Sequence, residues 1–401
     1  MIMAPEVGKV REVTRHRHFW PAALAVVLAF CGAVVAVRAG AVRVHDASRA
    51  IDLALQDQGE ALLRGDAPGW LRPVDQSQQT EMRRLYDNLR GLEVSAWLPR
   101  ATSLAGDDSL WRAAVQVRVC FTGTRCVRAH NTYVPLGDVI TAATVWRVSD
   151  DHAVLESFLV SAPMPAAAVP WKTKTLNFAT GSRVIVAASS GSMQPAQWVA
   201  VADRAAQIAD KYAFVRPGKY VIYLAAADEW QTVIGEDGEA LGFVDRTSEQ
   251  TAFTVVDAAE QPSERLLRHE LGHVATLLGT LGGQPDWAIE GMAEYVAWEQ
   301  TPMSSYRLTQ AARDHIARTQ WQGRLDLPWS SQRTERVGFY AMAYLAIRCL
   351  ASTYGEASLL SFFDRVARQN RSPAEAALPA FGTPWPAVEE ACHAKIEGWL
   401  S

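Results

Sequence analysis

RHELGHVATLLG, residues 268–279, sets two histidines four residues apart with a glutamate directly after the first. At about 100° per residue, Leu267, Leu271, Val274 and Leu278 fall on one stripe, as a core-facing helix requires. The stretch therefore reads as a helix over 263–278, with Gly279 placed to end it. His269 and His273 share a neighbouring face one turn apart, where both imidazoles can reach a common ion at about 2.0–2.1 Å. Glu270 projects between the histidines and the core stripe, in reach of a water on such an ion without displacing it. An exposed helix face that happens to carry two histidines is the plain alternative. The next twenty residues of the chain argue against it.

A catalytic zinc needs three protein ligands and one open position. The segment DWAIEGMAEYVAWE (286–299) reads as a second helix, with Asp286 as a good N-cap after Pro285. The short loop GTLGGQP (279–285) turns it antiparallel to the first. Glu290, 17 residues beyond His273, can face the same point. Glu294, one turn further on the same face, can accept a hydrogen bond from a ligand histidine and fix its tautomer.

His269-Glu270-x-x-His273 followed by Trp287-x-x-Glu290-Gly291-x-Ala293 resembles the gluzincin zinc metallopeptidases, which include thermolysin, the aminopeptidase N type and the compact peptidase-MA-like domains. The resemblance covers about residues 175–400. It implies zinc (Zn2+) held by His269, His273 and Glu290, with Glu270 as general base and Glu294 supporting a ligand histidine. In the aminopeptidase N type a tyrosine on a later helix stabilises the oxyanion, and VGFYAMAYLAIRCLASTYG (337–355) supplies Tyr340 at the matching place. The gap from His273 to Glu290 is a little shorter than in aminopeptidase N or thermolysin. No Gly-Ala-Met-Glu-Asn stretch, which aminopeptidases use to hold a free amine, precedes the motif. Both departures point to an endopeptidase acting on peptide or protein substrates. By the same resemblance TAFTVV (251–256), the strand before the motif helix, is placed to pair with substrate backbone. The competing reading is a catalytically inactive exported binding or regulatory module, against which the intact Glu270 argues. An intramembrane protease is excluded because Arg265 and Arg268 precede the motif.

The remaining chain gives the organisation. Its 401 residues, 49% hydrophobic and 20% charged, are enough for two or three globular units. The net charge of −4, without a long basic run beyond the N-terminal segment, leaves nucleic acid out as a partner. WPAALAVVLAFCGAVVAV (20–37) is an apolar run of 18 residues behind Lys9, Arg11, Arg15 and Arg17. That reads as a single-pass membrane anchor over 20–40 after a cytoplasmic basic tail (1–19), which places the rest outside the cytoplasm. The run exceeds most signal-peptide cores, which favours the anchor over cleavage at Ala39-Gly40-Ala41 and secretion. Four cysteines lie beyond the run, and Cys120 with Cys126 across a turn, and Cys349 with Cys392, are plausible disulfides in such a compartment.

Helical patterns at 46–66 and 76–92 precede five runs of period near two: EVSAWLP, SLWRAAVQVRVCF, RCVRAHNTYVPL, ITAATVWRVS and AVLESFLVS. This order resembles the nuclear-transport-factor-two-like (SnoaL-like) cone, with Gly65-Asp66 at a helix end and Trp146 in a late strand. It sets a small helix-plus-curved-sheet domain at 42–162, before a Pro- and Ala-rich linker at 163–172. Strands first and helices from 262 onward make a second, thermolysin-like domain at 173–401. The fold class is α+β throughout, behind the transmembrane helix.

Overall fold

The computed structural model describes residues 43–107, 109–124, 126, 137–149, 152–161, 169–189, 193–234, 240–259, 261–280, 282–299, 301–329 and 333–401. The first unit starts with helix α1 (43–64), which ends at Gly65 with a positive φ of 77°. Asp66 then caps the short α2 (Ala67–Leu71) by accepting from the Gly69 N–H. After α3 (Gln79–Gly91) come four antiparallel strands: β1 (Val94–Asp107), β2 (Leu110–Phe121), β3 (Asp138–Ser149) and β4 (His152–Val160). They form a meander in chain order. Alternate residues Trp111, Ala113, Val115, Val117 and Val119 of β2 turn inward, the period-two pattern of a sheet with one covered face. The expected run RCVRAHNTYVPL lies outside the described residues except for Cys126, which is disulfide-bonded to Cys120.

The second unit is built on a five-stranded sheet. Its elements in chain order are β5 (Asn177–Thr180), β6 (Val184–Ala188), α4 (Ala196–Ala209), β7 (Tyr220–Ala225), α5 (Ala227–Ile234), β8 (Gly242–Ser248) and β9 (Thr251–Asp257). The spatial order is β5-β6-β7-β9-β8, with β6, β7 and β9 parallel and the two outer strands antiparallel. The central strands read as unbroken apolar runs because both faces are covered. Val184, Val186, Ile222, Leu224 and Val256 join the helical core, while Ala187, Val221, Tyr223, Phe253 and Val255 join the core of the first unit. The sheet is therefore shared between two cores.

The segment joining the units is part of that packing. Trp171, in the turn Pro170–Lys172, is 1% exposed. Asn88 Nδ2 donates to the carbonyls of Trp171 and Lys174, both at 2.7 Å, and Lys172 Nζ pairs with Asp138 at 3.0 Å.

Helices complete the chain: α6 (Glu264–Leu277), α7 (Asp286–Ala297), α8 (Thr309–Thr319), α9 (Arg333–Tyr354), α10 (Glu356–Phe363), α11 (Pro373–Phe381) and α12 (Trp385–Leu400). A disulfide between Cys349 and Cys392 ties α9 to α12.

Two expectations are corrected. No helix among the described residues is long and apolar enough to cross a membrane. The apolar run at 20–37 lies outside them, and the long helix α9 carries Arg336 and Arg348 and packs into the core. The transmembrane element of the fold class, and the single-pass cell-membrane placement drawn from it, are withdrawn. The second correction concerns TAFTVV. Strand β9 is bonded to β7 on one side and β8 on the other, so it has no free edge for a substrate; the edge strand is β8.

Candidate metal centre

Helix α6 starts where Ser263 accepts from the Leu266 N–H, and it buries Leu267, Leu271 and Val274 against the sheet and α7. Its end is Gly279, at a φ of +86°, a left-handed position that favours glycine. Helix α7 starts at Asp286 itself, not after it. The carbonyl of Pro285, the residue before, accepts from the N–H groups of Ala288 and Ile289 at 3.1 and 3.3 Å. Gly291, next to Glu290, lies against the backbone of α9: a Cβ there would stand 2.5 Å from the Ala343 carbonyl oxygen. Close approach at this glycine lets α7 sit deep between α6 and α9.

These elements bring His269, His273 and Glu290 together. The two Nε2 atoms are 3.2 Å apart, and Glu290 Oε2 is 3.3 Å from each. Ligands held at 2.0–2.1 Å in tetrahedral directions stand about 3.3–3.4 Å apart, so the triangle has the edge length a tetrahedral zinc requires. Glu290 Oε2 is buried and makes no aligned hydrogen bond. One proton could serve only one edge of this triangle, whereas a cation at its centre satisfies all three atoms. Among the described residues, these three are the one group of ligand-type side chains close enough to share an ion.

The electrostatics have the same origin. Burial pushes the Glu290 carboxyl up, but His273 and His269 outweigh it and hold the group well below the usual carboxylate range. Burial lowers His269, and the carboxylates of Glu290 and Glu294 more than reverse that, so the imidazole is raised well above its ordinary value. The two shifts are one interaction seen from both sides, imidazole and carboxylate each favouring the charged form of the other.

Glu270 is 5% exposed, and burial raises its carboxyl above the ordinary value despite the two histidines. The strand next to it is β8: a Cβ on Gly242 would stand 2.9 Å from Glu270 Cγ and Oε1. Glu294 Oε1 lies 3.0 Å from His269 Nδ1, short without being an aligned hydrogen bond. Glu294 Oε2 accepts from the Trp298 indole N–H at 2.8 Å. Tyr340, on α9, has its ring centre 6.0 Å from that of His269 and is flanked by Phe339 and by Trp329, which is 44% exposed. Burial, then the carboxylates of Glu290, Glu270 and Glu294, push the phenol far up, so it keeps its proton.

Sequence reading passed over Gly242, Trp298 and Trp329. Only Trp298 left a local signal, since it stands one turn beyond Glu294 on the same helix face.

No family model and no curated protein matches this chain. Among solved structures it is similar to an M1 zinc metallopeptidase from Deinococcus radiodurans, at 13% identity and a TM-score of 0.35, over 77% of this chain and 95% of that one. A mutant two-domain M1 zinc metallopeptidase bound to L-arginine aligns at 14% identity and a TM-score of 0.35, over 78% of this chain and 94% of its own. A mutant M1 zinc metallopeptidase from Deinococcus radiodurans, bound to a Tyr-Ser-Ala substrate, gives 14% and 0.35, over 77% and 95%. Likeness at this level carries no argument of its own, and the chemistry of the site rests on its geometry.

Proposed function

We propose that this chain is a zinc metallopeptidase that hydrolyses peptide bonds, with His269, His273 and Glu290 as the zinc ligands. The observation that carries the reading is the triangle of Nε2, Nε2 and Oε2 atoms at 3.2–3.3 Å beside a buried glutamate that is not part of it. Zinc in that position supplies Lewis acidity toward a water and toward the substrate carbonyl. Glu270 takes the proton of the attacking water on its carboxylate and passes it to the leaving amine nitrogen. Its raised affinity for a proton suits a group that must both accept and return one. Tyr340 keeps its hydroxyl protonated and donates to the oxyanion that develops on the substrate.

The edge of β8 bears on which peptides fit. Gly242 and Val244 turn toward the catalytic helices, whereas Phe243 packs on the core of the first unit. Asp245 turns the same way as Phe243, since Asp138 and Lys172 of that region act on its carboxyl. Among the described residues 242–248, the strand beside Glu270 offers backbone groups to an extended chain, and its one carboxylate, Asp245, turns away from Glu270. The endopeptidase reading rests on the sequence, which carries no Gly-Ala-Met-Glu-Asn stretch before the motif.

The test is a peptidase assay on the zinc-loaded chain with a mixed peptide library. The parent is expected to cleave within peptides, and Glu270→Gln to lose about 10²–10⁴-fold in rate while keeping its zinc. A zinc-loaded parent that cleaves nothing, or a glutamine variant as active as the parent, contradicts the reading.

A further inference from the structure

Trp298 follows the last turn of α7 and is 8% exposed. Its indole N–H is a donor only, and at 2.8 Å it commits Glu294 Oε2. The other oxygen of that carboxylate is thereby kept beside His269 Nδ1, 3.0 Å away. A carboxylate facing Nδ1 keeps the imidazole proton there and leaves the Nε2 lone pair free.

The indole cannot swing away. It meets Tyr306 in a T-shaped contact, with ring centres 5.0 Å apart at 79°. The Arg265 guanidinium lies 4.7 Å from the indole ring centre. Tyr306 in turn stacks on Tyr344 at 4.1 Å, and the Tyr344 hydroxyl accepts from Arg348. An aromatic column anchored on α9 thus holds the donor that holds Glu294.

We propose that Trp298 is a positioning residue of the metal centre, which aims Glu294 and through it fixes the tautomer of His269. The proposal rests on the zinc reading of the site. It requires that Trp298 act on the ion only by way of Glu294.

Zinc affinity of the folded chain, measured by competition with a chromophoric chelator, tests it. Glu294→Gln is expected to weaken zinc about 10–100-fold, and Trp298→Phe, one link further out, about 3–10-fold. The double variant should bind no more weakly than Glu294→Gln alone, because the two effects share one path. Melting in excess chelator separates lost packing from lost aim, since a merely structural role moves the metal-free melting point and leaves affinity alone. Affinity unchanged in Trp298→Phe, or losses that multiply in the double variant, overturns the proposal. A parent that binds no zinc overturns the metallopeptidase reading together with it.

Where Trp298→Phe does not fold, spectra of 15N-tryptophan-labelled parent and Glu294→Gln decide. One indole N–H resonance should shift strongly between them, and none shifting overturns the proposal.

Discussion

At the scale of single residues the site is a problem of clearance. Glu270 must stand close to the ligand triangle without entering it, and the bare backbone of Gly242 makes the room. A methyl there would press on Cγ and Oε1 of Glu270, each at 2.9 Å. Gly242→Ala is therefore expected to bind zinc as the parent does and to lose about 10-fold or more in kcat, since displacements of the order of 1 Å cost up to about 10²-fold. Steady-state kinetics with metal analysis checks this, and unchanged kcat contradicts it. Helical spacing puts His269, Glu270 and His273 on adjoining faces of one helix and Glu290 and Glu294 on one face of the next. That the two faces meet is implied by the short loop between them and the family resemblance. The sequence could not show Gly242, whose role comes from an edge strand that reaches Glu270 through tertiary packing.

At the scale of elements, α6 and α7 were legible from their stripes and flanking turn residues, within a residue or two of their ends. The strand order was not. An apolar run such as Val184–Ala188 says that both faces are covered and nothing about its neighbours. The expectation that 251–256 pairs with substrate failed for that reason: β8 returns outside β9 and takes the edge. The disulfide between Cys349 and Cys392 closes a 43-residue separation and fastens α12 to the helix that carries Tyr340. Constraining a loop of that size in the unfolded chain contributes about 4 kcal/mol in the chain-entropy account. Cys349→Ser with Cys392→Ser is expected to lower the denaturation free energy by about 2–4 kcal/mol, read from urea titrations. A loss under about 1 kcal/mol would contradict the assignment.

At the scale of the whole molecule, the shared sheet makes one body of what the sequence divides at 163–172. Tyr223 and Phe253 of the five-stranded sheet are buried in the core of the first unit. Alternating patterns report that a face is covered, not which segment covers it, so this union could not be read in advance. Ion networks brace the second unit itself. Burial pushes Glu229 up, but Lys174, Ser189, the Ala226 N–H and Tyr223 hold its carboxyl below the ordinary range. Asp210 is likewise raised by burial and lowered further by Arg183, Arg216 and Tyr220. A carboxyl depressed in the folded state binds fewer protons there than when unfolded. Its contribution is complete above the unfolded value of about 4 and disappears as pH falls through the folded one. In excess chelator, the urea midpoint should not fall between pH 7 and about 5, where the raised His269 adds stability, and should fall below about 4, less steeply in Asp210→Asn. A parent midpoint that stays level or rises down to about pH 3 contradicts the assignment.

The most direct measurement of the central claim is anomalous diffraction at the zinc edge from crystals of the zinc-treated chain. The account predicts one peak within bonding distance of His269 Nε2, His273 Nε2 and the Glu290 carboxylate, with a fourth direction open beside Glu270. No peak there in a folded, zinc-treated crystal, or a fourth protein side chain closing that direction, would contradict it.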